Sequence, residues 1–369
     1  MIQAARRAAL GVVALALAAA ACTGDDAPAT SLPATGPADR TATATPSAAS
    51  KPAPTPTAEA TATASPAATA APTPARTSTP EPTPTEQPVE DSPELPVTVT
   101  DADGDEIVIE DVSRLVVLNG SITEIVFALG LGDHVVGADI TSIYPPEAQD
   151  LPKVGVQIAL SAEGVIALQP TLVIGTTFAG PPEVIEQIRG TGIPVLIIPD
   201  YNTLEAIEEK ITRIGSALGV PRRGERLASD SVASIEEAIA AGERSDAVPR
   251  VAFLYLRGAH TQLIGGDGAG ATSLIEAAGG IDVGVEAGVR GFTAITPEAL
   301  VTANPDVFLV ITTGLESVGG IDGLLEIPGM AQTTAGRNRA VVDFDAQYLL
   351  GFGPRSGAAL AELIDAIHP

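Results

Sequence analysis

Tryptophan is absent from these 369 residues, cysteine occurs once, methionine twice, and histidine only three times. A single cysteine excludes an internal disulfide, so an exported chain of this kind must hold its core by burial alone. Too few Cys and His are present to form a metal cluster with ligand spacing. Cations are scarce too: 20 Lys and Arg face 46 Asp and Glu, a formal net charge of −26, and the only lysines are Lys51, Lys153 and Lys210. That balance removes the basic footprint that nucleic acid requires, and leaves no polybasic membrane patch. HExxH, GxSxG and GxxxxGKS/T are all missing, and GGDGAG (265–270) does not fit GxGxxG in register, so no enzyme class is indicated.

What is present begins with MIQAARRAALGVVALALAAAAC, a basic start at Arg6 and Arg7 followed by an apolar run. The run is too short to span a bilayer and reads as a secretory signal over residues 1–22. Ala19, Ala20 and Ala21 before the lone Cys22 resemble a bacterial lipoprotein box, with Ala19 where such boxes usually carry Leu. The resemblance implies lipidation of Cys22 and anchoring to the outer face of the cytoplasmic membrane; the alternative is an ordinary cleaved signal with an incidental cysteine. Residues 23–95 are nearly all Pro, Thr, Ala, Ser and Glu. Such a stretch cannot offset its ordering entropy by burial and reads as a disordered tether with a reach of roughly 200 Å.

Residues 96–369 are long enough for two lobes. VTVTDADGDEIVIE (97–110) alternates on both sides of a Gly-containing turn and predicts a β-hairpin. Asp101, Asp103 and Asp105 imitate the start of a calcium loop, but Val112 stands where the closing Glu would be. Unalternating runs at 114–119, 134–139, 171–175 and 195–199 read as strands covered on both faces, hence a parallel sheet. Helices fit 121–131, 161–169 and 182–190, with Ser121 and Glu124 as a capping box on the first. A long helical region over 203–243 breaks at GVPRRGE (219–225), after which strand and helix patterns restart at RVAFLYLR (250–257). The boundaries are thus a first lobe at 96–220, an interlobe helix at 221–246 and a second lobe at 247–369: an α/β fold of two Rossmann-like lobes joined by one long helix, with a ligand cleft between them.

LNGSITEIVFALGLGDHVVGADITSIYPPEAQDLPKVG, LSAEGVIALQPTLVIG, FLYLRG, ATSLIEAAGGIDVG, GLESVGGIDGLLEIPGM and LLGFGPRSG resemble the helix-linked class of ABC-importer substrate-binding proteins for haem, siderophores and cobalamin, most nearly those that bind hemin. The resemblance implies a rigid monomeric receptor that hands its cargo to permease and ATPase subunits. It also implies one docking carboxylate per lobe, Glu163 and Glu276, each expected near a helix start.

Haem needs an axial donor, apolar walls and cations for its propionates. Where haem-binding relatives carry a His or Tyr, this chain has Val156, Gln157 and Ile158 in one lobe and Gln262 in the other. His260 or Tyr348 then becomes the candidate iron ligand, Tyr144 and Tyr201 the candidates for stacking on a planar ligand, and Arg257, Arg290 and Arg355 the available cations. Arg355 has the alternative of capping the last helix, while His134 and His368 read as structural. An iron–siderophore or cobalamin is the competing cargo, held with no protein–iron bond. The glycines at 265, 266, 268 and 270 are expected to turn the backbone between a strand and the helix carrying Glu276.

Overall fold

Branched apolar runs form strands whose successive side chains feed two different cores, and this alternation builds both halves of the molecule. The computed structural model describes residues 92–242 and 247–368. The signal segment, Cys22, all but the last four residues of the tether and the end of the helix expected to reach 246 lie outside the described residues. Strands β1 (Val97–Thr100) and β2 (Glu106–Ile109) form the expected antiparallel hairpin. Its turn is organised by buried Asp101, whose carboxylate accepts from the backbone N–H of Asp103 and Asp105 at 2.9 Å each and pairs with Arg189 at 3.2 Å. Those oxygens are committed to the turn.

The first lobe carries β3 (Leu115–Val117), β4 (Val135–Ala138), a short hairpin of β5 (Gly155–Val156) and β6 (Ala159–Leu160), β7 (Leu172–Thr176) and β8 (Val195–Ile198). Its four-stranded sheet runs β4-β3-β7-β8, parallel throughout. Helices α1 (Gly120–Ala128), α2 (Ala162–Ala167) and α3 (Pro182–Arg189) connect these strands, and α4 (Ile207–Ala217) and α5 (Pro221–Ala241) lead to the second lobe.

That lobe contains β9 (Arg250–Arg257), β10 (Thr261–Gly265), β11 (Ile281–Asp282), β12 (Phe292–Ala294), β13 (Val307–Ile311) and β14 (Val341–Phe344). Around them lie α6 (Thr272–Ala277), α7 (Val283–Glu286), α8 (Pro297–Ala303), α9 (Thr312–Ser317), α10 (Gly320–Glu326), α11 (Thr334–Asn338), α12 (Ala346–Leu350) and α13 (Ser356–Ile367). The sheet order is β12-β10-β9-β13-β14, with β11 pairing the start of β9. The β9, β13 and β14 strands are parallel as expected, whereas β10 and β12 add an antiparallel edge. That edge was hidden because TQLIG and FTA lack the continuous apolar run of a doubly covered strand.

One buried cluster crosses between lobes. Leu115, Val117 and Ile174 of the first sheet, Ile211 and Ile214 of α4, Ile235 of α5, Leu360 and Ile364 of α13, and Val251 and Phe253 of β9 all belong to it. Val116 and Leu118 turn the other way, onto Val165, Ile185 and Ile188. The opposite face of the second sheet packs Leu254, Phe308 and Met330.

Pro221 opens α5 at a position where its missing N–H costs nothing, and the 21-residue helix extends about 30 Å. It lies against α4 at a glycine crossing: a Cβ on Gly215 would meet Gly224 Cα at 2.7 Å. Gly215→Val is therefore expected to destabilise the fold by about 2–3 kcal/mol, because backbone rather than a yielding side chain blocks the added atoms. Urea unfolding of the purified chain measures this; an unchanged midpoint would mean that the helices can separate without cost.

Candidate ligand-binding cleft

Parallel strands leave a crevice beyond their carboxyl ends, and here both sheets turn theirs toward one cavity of about 480 Å³. From the first lobe it is lined by Asn119 after β3, Ile140, Thr141 and Ile143 after β4, Gln157 in the β5–β6 hairpin, Phe178 after β7 and Asp200 to Asn202 after β8. From the second lobe come Gly268 to Gly270 after β10, Phe292, Thr313, and the segments around Gln347 and Phe352. Two of the four glycines act as expected: Gly268 and Gly270 hold φ of 80° and 94°, the left-handed turn that brings backbone to the cleft wall ahead of α6, whereas Gly265 is the last residue of β10.

Local capping sets the first-lobe wall. Asn119 caps α1, its Oδ1 accepting from the N–H of Ser121 at 2.9 Å and of Ile122 at 3.4 Å, while its Nδ2 donates to Gln157 Oε1 at 3.3 Å. This corrects the expected capping box: the Ser121 hydroxyl donates to Asn119 Oδ1 and accepts from Lys210, and Glu124 reaches to the second lobe. The Lys210 ammonium, fully buried, donates to Ser121 Oγ at 2.6 Å and to the carbonyls of Gly351 and Phe352 at 2.8 and 3.3 Å. Burial pushes its pKa down to about 8, against the opposing pull of Asp200 and Glu124. Glu124 receives Arg355 in a two-pronged pair, Nε to Oε1 at 3.0 Å and the terminal nitrogen to Oε2 at 2.8 Å. A charge-assisted fork of this kind outcompetes a single bond to a helix amide. Gln347 completes the seam: its Oε1 accepts from the N–H of Ile143 and Tyr144, and its Nε2 donates to the carbonyls of Gly120 and Tyr144.

Tyr201 lines the cleft, buried, with its hydroxyl donating to Glu209 at 2.9 Å; burial and that bond push its pKa up to about 12. Tyr144, Tyr348 and Arg355 come together in an adjoining cavity of about 310 Å³ with Ile143 and Asp345. The Arg355 guanidinium lies 3.5 Å from the Tyr144 ring centre and 4.9 Å from that of Tyr348, and its side chain makes no cap bond to the last helix. Tyr348 donates to Glu362 at 2.8 Å, and burial followed by that carboxylate pushes its pKa up to about 12.

The structure does not bring His260 to the cavity: it is exposed in the turn between β9 and β10 and is absent from the cavity lining. Gln262 is half-buried on β10 opposite Leu256, and Arg290 is exposed beside Asp267. Arg257, exposed at the end of β9, holds its guanidinium 5.4 Å from the Tyr255 ring. Glu163 is exposed in the first turn of α2, which Ser161 caps. Glu276 is exposed too, but it lies in the last turn of α6 and not near its start. His134 and His368 hydrogen-bond the carbonyls of Val112 and Ala278.

Sequence reasoning missed Phe178, Phe292, Gln157, Gln347, Lys210 and Tyr255. The last was findable by strand parity, since Phe253, Tyr255 and Arg257 share a face of β9. Phe292 joins that face, 5.4 Å from Tyr255 and 6.0 Å from Phe253 between ring centres.

The periplasmic binding protein family model matches residues 115–348. The chain belongs to that family. Among solved structures it is similar to the periplasmic heme-binding protein RhuT from Roseiflexus sp. RS-1 in apo form, 49% identical, with 70% of this chain and 98% of that one covered and a TM-score of 0.68. The heme binding protein HmuT is 40% identical, with 75% and 92% covered and a TM-score of 0.71. Among curated proteins, the uncharacterized ABC transporter substrate-binding lipoprotein YvrC of Bacillus subtilis is 28% identical over 74% of this chain and 86% of its own. A vitamin B12-binding protein of Vibrio parahaemolyticus is 32% identical over 40% of this chain and about half of its own length, 52%. The family and these structural neighbours are binding proteins.

Lys210 gives the site a pH signature. The unfolded chain keeps this proton to near 10.5, whereas the folded chain releases it near 8. Below that window the burden of the buried charge is fully present, and across it stability rises with pH by at most about 1.4 kcal/mol per unit. Urea unfolding at pH 7, 8 and 9 should reveal this rise in the wild type and its loss in Lys210→Met. Equal slopes would assign the rise to another group.

Proposed function

We propose that this protein is the extracytoplasmic receptor of an ABC importer and that it carries haem in the interlobe cleft. The observation that carries the reading is the cleft itself, a cavity at the carboxyl ends of both sheets with Phe178 and Phe292 presented from opposite lobes. Similarity to heme-binding proteins at 49% and 40% identity supports the cargo. The lobes are pinned by Lys210, Gln347 and Arg355, which supports a receptor recognised in one shape. Cys22, as lipid attachment site, and the Pro-rich tether hold it at the outer face of the cytoplasmic membrane, and the lipoprotein name of YvrC supports the anchor. Glu163 and Glu276, both solvated, are the carboxylates that meet arginines of the permease, whose ATPase drives import; the receptor acts as a monomer.

For the iron, Tyr255 joins His260 and Tyr348 as a candidate. A phenol ligates as the phenolate, and Tyr348 is tied to Glu362 with its pKa pushed up, which works against it. Tyr255 has the Arg257 guanidinium 5.4 Å from its ring centre, a cation that suits a propionate. HmuT has also been crystallised as alanine variants of a tyrosine and an arginine two positions apart, the spacing of Tyr255 and Arg257. Arg290 is the second exposed cation, and Tyr201 a stacking surface inside the cleft.

The competing cargo is cobalamin or an iron–siderophore. It is favoured by the vitamin B12-binding relatives and by a cavity lining without His, Met or Cys.

Titration of the purified chain with hemin should give a saturable Soret shift that is altered in Tyr255→Phe and kept in His260→Ala and Tyr348→Phe. Loss of the shift in His260→Ala would move the iron to that residue, and no shift together with saturable cobalamin binding would change the cargo. Charge reversal at Glu163 and Glu276 should cut uptake by about tenfold or more with hemin binding intact; unimpaired uptake would remove the docking role.

A further inference from the structure

We propose that the first lobe grips its cargo by the ring face alone, without a bond to the metal, so that a metal-free porphyrin occupies the same cleft as haem. This rests on the tetrapyrrole reading and specifies what that lobe contributes to it.

Three of the large apolar side chains that this lobe leaves in water line the cavity: Ile140, Ile143 and Phe178, the last 55% exposed. Val156 and Ile158, 37% and 63% exposed, flank Gln157 on the hairpin that forms the cavity's edge. Exposed apolar side chains gathered at the rim of one cavity mark a surface that an apolar partner covers.

Most of the polar oxygens of this wall are otherwise engaged. Gln157 Oε1 accepts from Asn119 and, at 3.5 Å, from Thr176; Asn119 Oδ1 caps α1; the Tyr201 hydroxyl is held by Glu209. Asp200 faces the Lys210 ammonium, which pulls against the rise that burial imposes on this carboxyl. No axial donor of the His, Met or Cys type lines the cavity among the described residues. What remains is a stacking surface, with Phe178 on one side and Phe292, backed by Tyr255, on the other. Dispersion and ring stacking act on the macrocycle whatever sits at its centre. Any metal bond therefore comes from the second lobe.

The test compares hemin with metal-free protoporphyrin IX on the full chain, the second followed by its own fluorescence. Protoporphyrin should bind saturably with a Kd within about tenfold of that of hemin and be displaced by it. Phe178→Ala, a change at an exposed position, should weaken both ligands by a similar factor of about tenfold. Tyr255→Phe should weaken hemin and leave protoporphyrin unchanged. Hemin binding without protoporphyrin binding, or a Phe178→Ala variant weakened toward hemin alone, overturns this inference and leaves the haem reading standing. If neither ligand binds, both fall.

Discussion

A buried ammonium must have all three of its protons answered, and Lys210 finds its partners on two different lobes. Ser121 belongs to the first and the Gly351 and Phe352 carbonyls to the second, while Lys210 itself stands on α4, the helix that begins the passage between them. Sliding one lobe against the other would strand a charge in the core, a far larger penalty than the loss of a surface contact. The Arg355–Glu124 fork and the four backbone bonds of Gln347 lie in the same seam and act in the same sense. The shared apolar cluster and the glycine crossing of α4 and α5 add stiffness, since no side chain there can yield.

This seam shapes the cleft. In a chain with 20 cations and 46 anions, each cation used internally is one fewer for a ligand. Lys210 and Arg355 are consumed between the lobes, and the Lys153 ammonium braces the loop after β4 by donating to the carbonyls of Ser142 and Ala148. Arg257 and Arg290 remain exposed in the second lobe. The two walls present exposed apolar side chains to the cavity, Ile140, Ile143 and Phe178 from the first lobe and Phe292 from the second.

Much of the fold was readable from periodicity. Unbroken runs such as LVV and VFLVI become doubly covered strands, and Ser161 opens its helix as its side chain dictates. The antiparallel edge was not readable, because TQLIG and FTA carry no such run and find their places only through pairing with β9 and with each other. Ser121 and Glu124 illustrate the limit well. Their spacing satisfies a local capping rule, yet a lysine 89 positions away and an arginine 231 positions away claim them.

By itself the amino-acid order determined the α/β class, the break between helices at Gly219, the acidic and nearly cysteine-free character, and the family resemblance, since each depends on short-range pattern or composition. Which polar groups face the cleft was decided by the tertiary structure alone. Tyr201 lines the cavity and Tyr348 an adjoining one, but each hydroxyl is taken by a neighbouring carboxylate, and His260 is left in a turn away from the cavity. The reason is that a side chain's availability depends on which hydrogen-bond partners the packed lobes bring within 3 Å of it, and contacts between residues distant in the chain leave no periodic trace.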